Sequence, residues 1–105
     1  MINIEKLTDI ERKNLLLLAL ILPAIESQDE ALAFILELCT PNEARMLPQR
    51  VGIAELLVQK IPHKKIVERL GNPSSATVSR VSETVQKGDS ILRKVIMRAS
   101  GVEGS

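Results

Sequence analysis

Residues 62–87 read PHKKIVERLGNPSSATVSRVSETVQK, and the fold turns on this stretch. Ile66, Val67 and Leu70 form a short apolar face that stops at Gly71. Asn72-Pro73-Ser74-Ser75 has the residue types of a turn followed by a helix cap. Val78, Val81 and Val85 then recur at i, i+3 and i+7, which predicts a second helix with one buried stripe, running to about Lys87 and ended by Gly88. Two short helices joined by a glycine-containing turn describe a helix-turn-helix. The first helix is expected to pack through Ile66, Val67 and Leu70 onto Val78 and Val81. The other face of the second helix is then left to enter a major groove about 12 Å wide.

That leftover face carries Ser75, Thr77, Ser79 and Arg80, with Ser82 and Glu83 beyond. Backbone donors and small hydroxyls at a helix N-terminus bind phosphate, helped by the helix dipole. Ala76 and the methyl of Thr77 suit a thymine methyl. Lys64, Lys65 and Arg69 on the preceding helix are placed to reach backbone phosphates. The candidate DNA contacts are therefore Lys64, Lys65, Arg69, Ser74, Ser75, Ala76, Thr77, Ser79 and Arg80. The competing reading of the same pattern is a helical hairpin that only packs the domain, with capped and lysine-rich faces turned to solvent.

Outward from this motif the chain reads as helical throughout, with five to six helices and no convincing strand. Residues 4–25 read as one helix, with Pro23 near its end. Its run Leu15–Leu22, reaching Ile25 past Pro23, covers eleven residues against the roughly 20 needed to span a bilayer. The run has no polar face, so the helix must be buried on every side, and a chain of 105 residues has too little mass to surround it. An intertwined homodimer is the simplest solution. Ser27 and Glu30 form a capping-box pair for a second helix through Ala31, Phe34, Ile35 and Leu38, ending near Cys39. Thr40 and Pro41 open a third, with Glu43 as box partner. It continues through Leu47, Val51, Ala54, Leu57, Val58 and Ile61, and Pro48 is expected to kink or restart it. Asp89 or Ser90 starts a last helix with Ile91, Leu92, Val95 and Ile96, and Gly101–Ser105 reads as a frayed tail. The expected organisation is one folded unit: dimerisation helices over 1–40, the central helix, helix-turn-helix and C-terminal helix over 41–100, and the tail over 101–105.

The totals narrow the function classes. The net charge of +1 hides an acidic segment 1–40, with three Lys/Arg against seven Asp/Glu, and a basic segment 41–105, with eleven against six. Such a split suggests a division of labour. The single aromatic, Phe34, disfavours modules that stack bases on rings. One cysteine, Cys39, and one histidine, His63, allow neither a disulfide framework nor a metal site built from those two alone. Cys39 is read as a small buried apolar group, and His63 as a surface phosphate contact or a solvated ring. No secretory signal pattern is seen, and the chain is read as cytoplasmic and nucleoid-associated, with no membrane partner. Phosphate-cradling loops, HExxH and Ser/His/Asp constellations are missing, so an enzyme is not expected.

Three segments carry a family resemblance. They are Leu38-Cys39-Thr40-Pro41-Asn42-Glu43, Leu47-Pro48-Gln49-Arg50-Val51 and Ala76-Thr77-Val78-Ser79-Arg80-Val81. In this order the chain resembles the tryptophan repressor superfamily, and within it the shorter branch of YerC/YecD-type TrpR-related proteins. ATVSRV is the most specific piece. The resemblance implies an intertwined all-α dimer and transcriptional regulation, as a repressor. It also implies two recognition helices reading a palindromic operator with half-sites about one helical turn, ~34 Å, apart.

The resemblance also implies an effector pocket, onto which Thr40, Arg50, Arg80, Val81 and Thr84 map. Arg50 and Arg80 match the two arginines that flank the family's corepressor, and Thr40 a threonine near its amino group. Thr84 stands where the family has a serine. The family's repressors have glycine directly after the second arginine, leaving room for the indole, whereas here Val81 should fill that space. No cofactor is therefore expected, tryptophan included, and the two arginines read as phosphate or carbonyl ligands. The Asn72-Pro73 turn is one residue longer than the family's, which shifts the base-contacting positions by up to one residue. Two other readings stay open: a helical dimer that binds a protein partner, and an architectural DNA-binding factor without ligand control.

Overall fold

Six α-helices, and no strand, make up the regular structure of the residues that the computed structural model describes, 3–71 and 73–101, apart from two short 3-10 turns. The chain divides into two compact units, Met1–Thr40 and Pro41–Ser105.

The first unit is helical but has no interior of its own. A 3-10 turn over Ile4–Lys6 is followed by α1, Asp9–Ile21, a second 3-10 turn over Leu22–Ala24, and α2, Gln28–Leu38. The single helix expected over residues 4–25 is thus shorter, because Thr8 starts it. The Thr8 hydroxyl accepts from Glu11 N at 3.1 Å, and Thr8 N donates to the Glu11 carboxylate at 2.9 Å, a reciprocal cap. The bond from Thr8 N, and secondly the Thr8 side chain, hold the Glu11 carboxyl below the usual carboxylate range. At the other end Pro23 cannot donate to the ladder, and the chain leaves the helix as a 3-10 turn before Ile25 becomes extended. Ser27 caps α2 by accepting from Glu30 N at 3.0 Å. The Glu30 carboxylate reaches one residue further than expected, to Glu26 N at 3.0 Å. No residue of α1 or α2 is buried. Leu16, Leu17 and Leu20 of α1 and Leu32, Leu36 and Leu38 of α2 are all more than half exposed.

The second unit holds the core. Helix α3, Pro41–Val58, opens with proline at its first helical position, where the missing N–H costs nothing. It runs unbroken through Pro48, where the sequence predicts a kink or a restart. Pro48 is exposed, so water can serve the Ala44 carbonyl that loses its helical donor. The helix ends at Val58, not Ile61. Lys60 turns left-handed at φ 63°, Ile61 N donates to Leu56 O at 3.0 Å and Lys60 N to Leu57 O at 2.9 Å. This is a Schellman close with lysine where glycine is usual. Helices α4, His63–Arg69, α5, Ser75–Gln86, and α6, Ile91–Ser100, complete the unit. Their inward residues Ile66, Val78, Val81, Val85 and Ile96 pack with Ile53 and Ala54 of α3 into one buried cluster. Asn72 and the residues after Gly101, which belong to the expected turn insertion and tail, lie outside the described residues.

The left-handed lysine yields a stability test. Lys60→Gly removes the Cβ that disfavours φ 63° and is expected to stabilise the fold by about 0.5–1 kcal/mol, read as a higher urea midpoint at unchanged m-value.

Candidate nucleic-acid interface

The α4–turn–α5 segment is positioned by its buried side. Ile66 of α4 is fully buried, and Val78, Val81 and Val85 of α5 are only 2, 6 and 5% exposed. Val67 and Leu70 close over the same cluster from α4. Gly71 takes φ +70°, the left-handed conformation that lets the chain leave α4 at once. The Gly52 Cα faces the Leu70 methyls, and a Cβ built there would sit 3.7 Å from both. That is ordinary van der Waals distance, so α3 lies against Leu70 at the turn without the contact requiring glycine.

Helix α5 sorts its residues by a strict period. Val78, Val81, Ser82 and Val85 point inward. Ser75, Ala76, Ser79, Arg80 and Glu83 are exposed on the opposite side, and Thr77 and Thr84 lie half-buried at the edges. Ser82, which the sequence reading places on the outer face, is 6% exposed. Its hydroxyl accepts from the Gln86 amide at 3.1 Å. The spacing 78, 81, 82, 85 is itself a buried helical stripe, so the signal was present in the period although serine is polar.

The N-terminus of α5 is capped by Ser74. Its hydroxyl accepts from Thr77 N at 3.1 Å and lies 2.8 Å from the Thr77 hydroxyl. Thr77 is therefore tied into the cap rather than displayed beside Ser79. On α4, Lys64, Lys65 and Arg69 are exposed, and His63 occupies the first helical position, also exposed. The exposed set thus comprises Lys64, Lys65, Arg69, Ser74, Ser75, Ala76, Ser79 and Arg80. These small groups and cations lie on the outer sides of two helices that share one core.

The residues mapped to an effector pocket differ in burial. Val81 is in the core, while Arg50 on α3 and Arg80 on α5 are exposed. The Thr84 hydroxyl donates to its own helix, at the Arg80 carbonyl, 3.1 Å away. Thr40 is an exposed residue at the end of the first unit. Cys39, read as buried, is the half-buried C-cap of α2. Among the described residues no group of three or more His, Cys, Asp or Glu could hold a metal ion, and no helix is long and apolar enough to cross a membrane.

The sequence reading overlooked Arg93. Its guanidinium reaches back from α6 to three carbonyls at the end of α5: Val85 O at 2.8 Å, Lys87 O at 2.7 Å and Gly88 O at 2.7 Å. No local motif announces such a clamp, because it depends on how the loop between α5 and α6 folds.

An all-α chain whose core presents a helix-turn-helix defines the class. The sequence matches the family of the Trp repressor protein over residues 13–100, and the chain belongs to that family. It is also similar to the uncharacterized protein YerC of Bacillus subtilis (strain 168), with 31% identity over 80 residues, 76% of each chain. No solved structure matches the chain.

The two faces of this segment make opposite demands on substitution. Ile66→Ala is expected to destabilise by about 2–5 kcal/mol, since it opens a cavity in the core. Ser79→Ala on the outer face should change stability by no more than about 0.5 kcal/mol. Urea titration of both variants checks the assignment of faces.

Proposed function

We propose that this chain is a sequence-specific double-stranded DNA-binding regulator, a repressor, which acts as a homodimer. The observation that carries the reading is the burial of Val78, Val81 and Val85. It leaves Ser75, Ala76, Ser79 and Arg80 outward on a helix of groove-fitting width. Membership of the Trp repressor family supports the same role. Ser75, Ala76 and Ser79 meet base edges, with Thr77 at the margin, while Ser74, Arg80, Lys64, Lys65 and Arg69 hold phosphates. Glu83, the next outward residue along α5, repels the backbone and confines the contact to the first two turns of the helix.

The homodimer rests on the first unit. Most leucines of α1 and α2 are exposed and none is buried, and an apolar surface of this kind in water needs a partner. The second unit also exposes large apolar residues, Leu47 and Val51 of α3 and Ile91 and Val95 of α6. In our reading a second copy covers both, so that residues 1–40 serve dimerisation. Two recognition helices then face successive major grooves of a palindromic site, with half-sites about one turn, ~34 Å, apart. The working place of such a protein is the nucleoid, in the cytoplasm.

Tryptophan is not part of this reading. In the family's repressors a glycine follows the second pocket arginine, whereas here that position is Val81, whose side chain is in the core. Calorimetry with L-tryptophan is expected to show no binding heat, and a stereospecific micromolar isotherm would refute the point.

Selection of bound duplexes from a random pool tests the function as a whole. Enrichment of one palindrome with half-sites about one turn apart is the expected outcome. Broad recovery without a consensus indicates an architectural factor, and no recovery at low salt indicates a protein-interaction module. On the selected duplex, Ser79→Ala should cost about 1–3 kcal/mol, whereas Lys64→Ala should weaken all sequences alike and lower the salt slope by about one contact.

A further inference from the structure

Helix α5 is fixed at three places by groups of the same unit. Ser74 caps its start, the three valines hold its inner side, and Arg93 grips its end. The last is the least ordinary. A helix leaves its final carbonyls without intrahelical donors, at the negative end of its dipole. The Val85 carbonyl is one of these, and it belongs to a core residue. Arg93 donates to it and to the next two carbonyls of the exit loop, Lys87 O and Gly88 O, all within 2.7–2.8 Å. Such short bonds from a cation are the strong kind.

Arg93 is itself anchored. Its own N–H donates to the Ser90 hydroxyl at 3.2 Å, and Ser90, the N-cap of α6, is 6% exposed. Ser90 N in turn donates to Lys87 O at 3.1 Å. The following turn of α6 enters the core through Ile96, beside Ile53 and Ala54 of α3. A chain of bonds therefore runs from the end of α5, through one guanidinium, to the first turn of a helix seated on α3. The fork shape matters, because two nitrogens at fixed angles serve three acceptors, which a lysine ammonium cannot span.

We propose that Arg93 is a positioning residue for DNA reading. It fixes the far end of α5 to α6, so that the outward face of α5 stands at its reading angle with no effector bound. This rests on the DNA reading above and adds the device that replaces ligand control at the same site. Arg93 touches no DNA in this scheme. Its effect is on the angle of Ser75, Ala76 and Ser79, and so on specific binding alone.

The test compares the wild-type chain with Arg93→Met and Arg93→Lys. Readouts are affinity for the selected duplex, affinity for random duplex with its salt slope, and amide hydrogen exchange. Arg93→Met should lose about tenfold or more on the selected duplex, the size of one lost base contact. Random-duplex affinity and slope should stay unchanged, and exchange should accelerate in the last turns of α5 but not in α3. Arg93→Lys should recover only part of the specific loss, and it serves in place of Arg93→Met if that variant does not fold.

Full specific affinity in both variants overturns the proposal. So does an equal loss on both duplexes with a flatter salt slope, which marks a phosphate contact, or faster exchange spread evenly over α3 and α5, which marks a general prop. A wild-type chain that binds no duplex at low salt overturns the DNA reading itself, and the functional claim for Arg93 with it. Binding by the wild type with no effect of Arg93→Met overturns the clamp alone.

Discussion

Val78, Val81 and Val85 of α5 sit against Ile53 and Ala54 of α3 and Ile66 of α4, and the remaining features of the second unit follow from that contact. With three β-branched side chains buried on one stripe, the helix cannot rotate about its axis without exposing apolar surface, at roughly 25 cal/mol per Å². Its rotation is set, and so is the set of residues it shows outward. Ser82 is carried inside with the valines and finds Gln86 as its partner. Thr77 and Thr84 are left at the margins, where each hydroxyl is engaged within the local backbone and cap. The outer face is left with Ser75, Ala76 and Ser79 near the start of the helix and the charged Arg80 and Glu83 beyond them.

The two units obey different rules. The second closes its own core and ties several helix ends from within, through Ser74, Ser90, Arg93 and the left-handed Lys60. The first also caps its helices locally, through Thr8 and Ser27, yet buries none of the residues of α1 and α2. Its leucines therefore have a helical conformation without the apolar environment that stabilises short helices in water. That imbalance, and not any single contact, is why the proposed functional form is a pair of chains.

Much of this was legible in the sequence. The valine spacing 78, 81, 85 predicts the inward stripe, Gly71 the turn, Pro41 the start of α3 and Ser27 the cap of α2. The failures have physical causes. Residues 4–25 look continuous because apolar content hides the Thr8–Glu11 cap, which is a matter of two side chains. Ile61 looks helical because its apolar spacing continues past the true end, which a non-glycine left-handed residue, Lys60, marks without any usual sign. Pro48 looks like a break because proline removes a bond, but at an exposed position the loss is small. Ser82 looks external because serine is polar, although its place in the 78, 81, 82, 85 period is an inward one. Arg93 was invisible because its three acceptors are main-chain carbonyls brought together by a loop.

The reading face itself is the claim on which the functional account stands, and amide chemical-shift mapping on adding duplex DNA at low salt probes it most directly. The account predicts perturbations concentrated at Ser74–Arg80 and along the exposed side of α4, with the amides of Ile53, Ala54 and Ile96 undisturbed. Perturbations centred instead on α1 and α2, or on the outer side of α6, would contradict it.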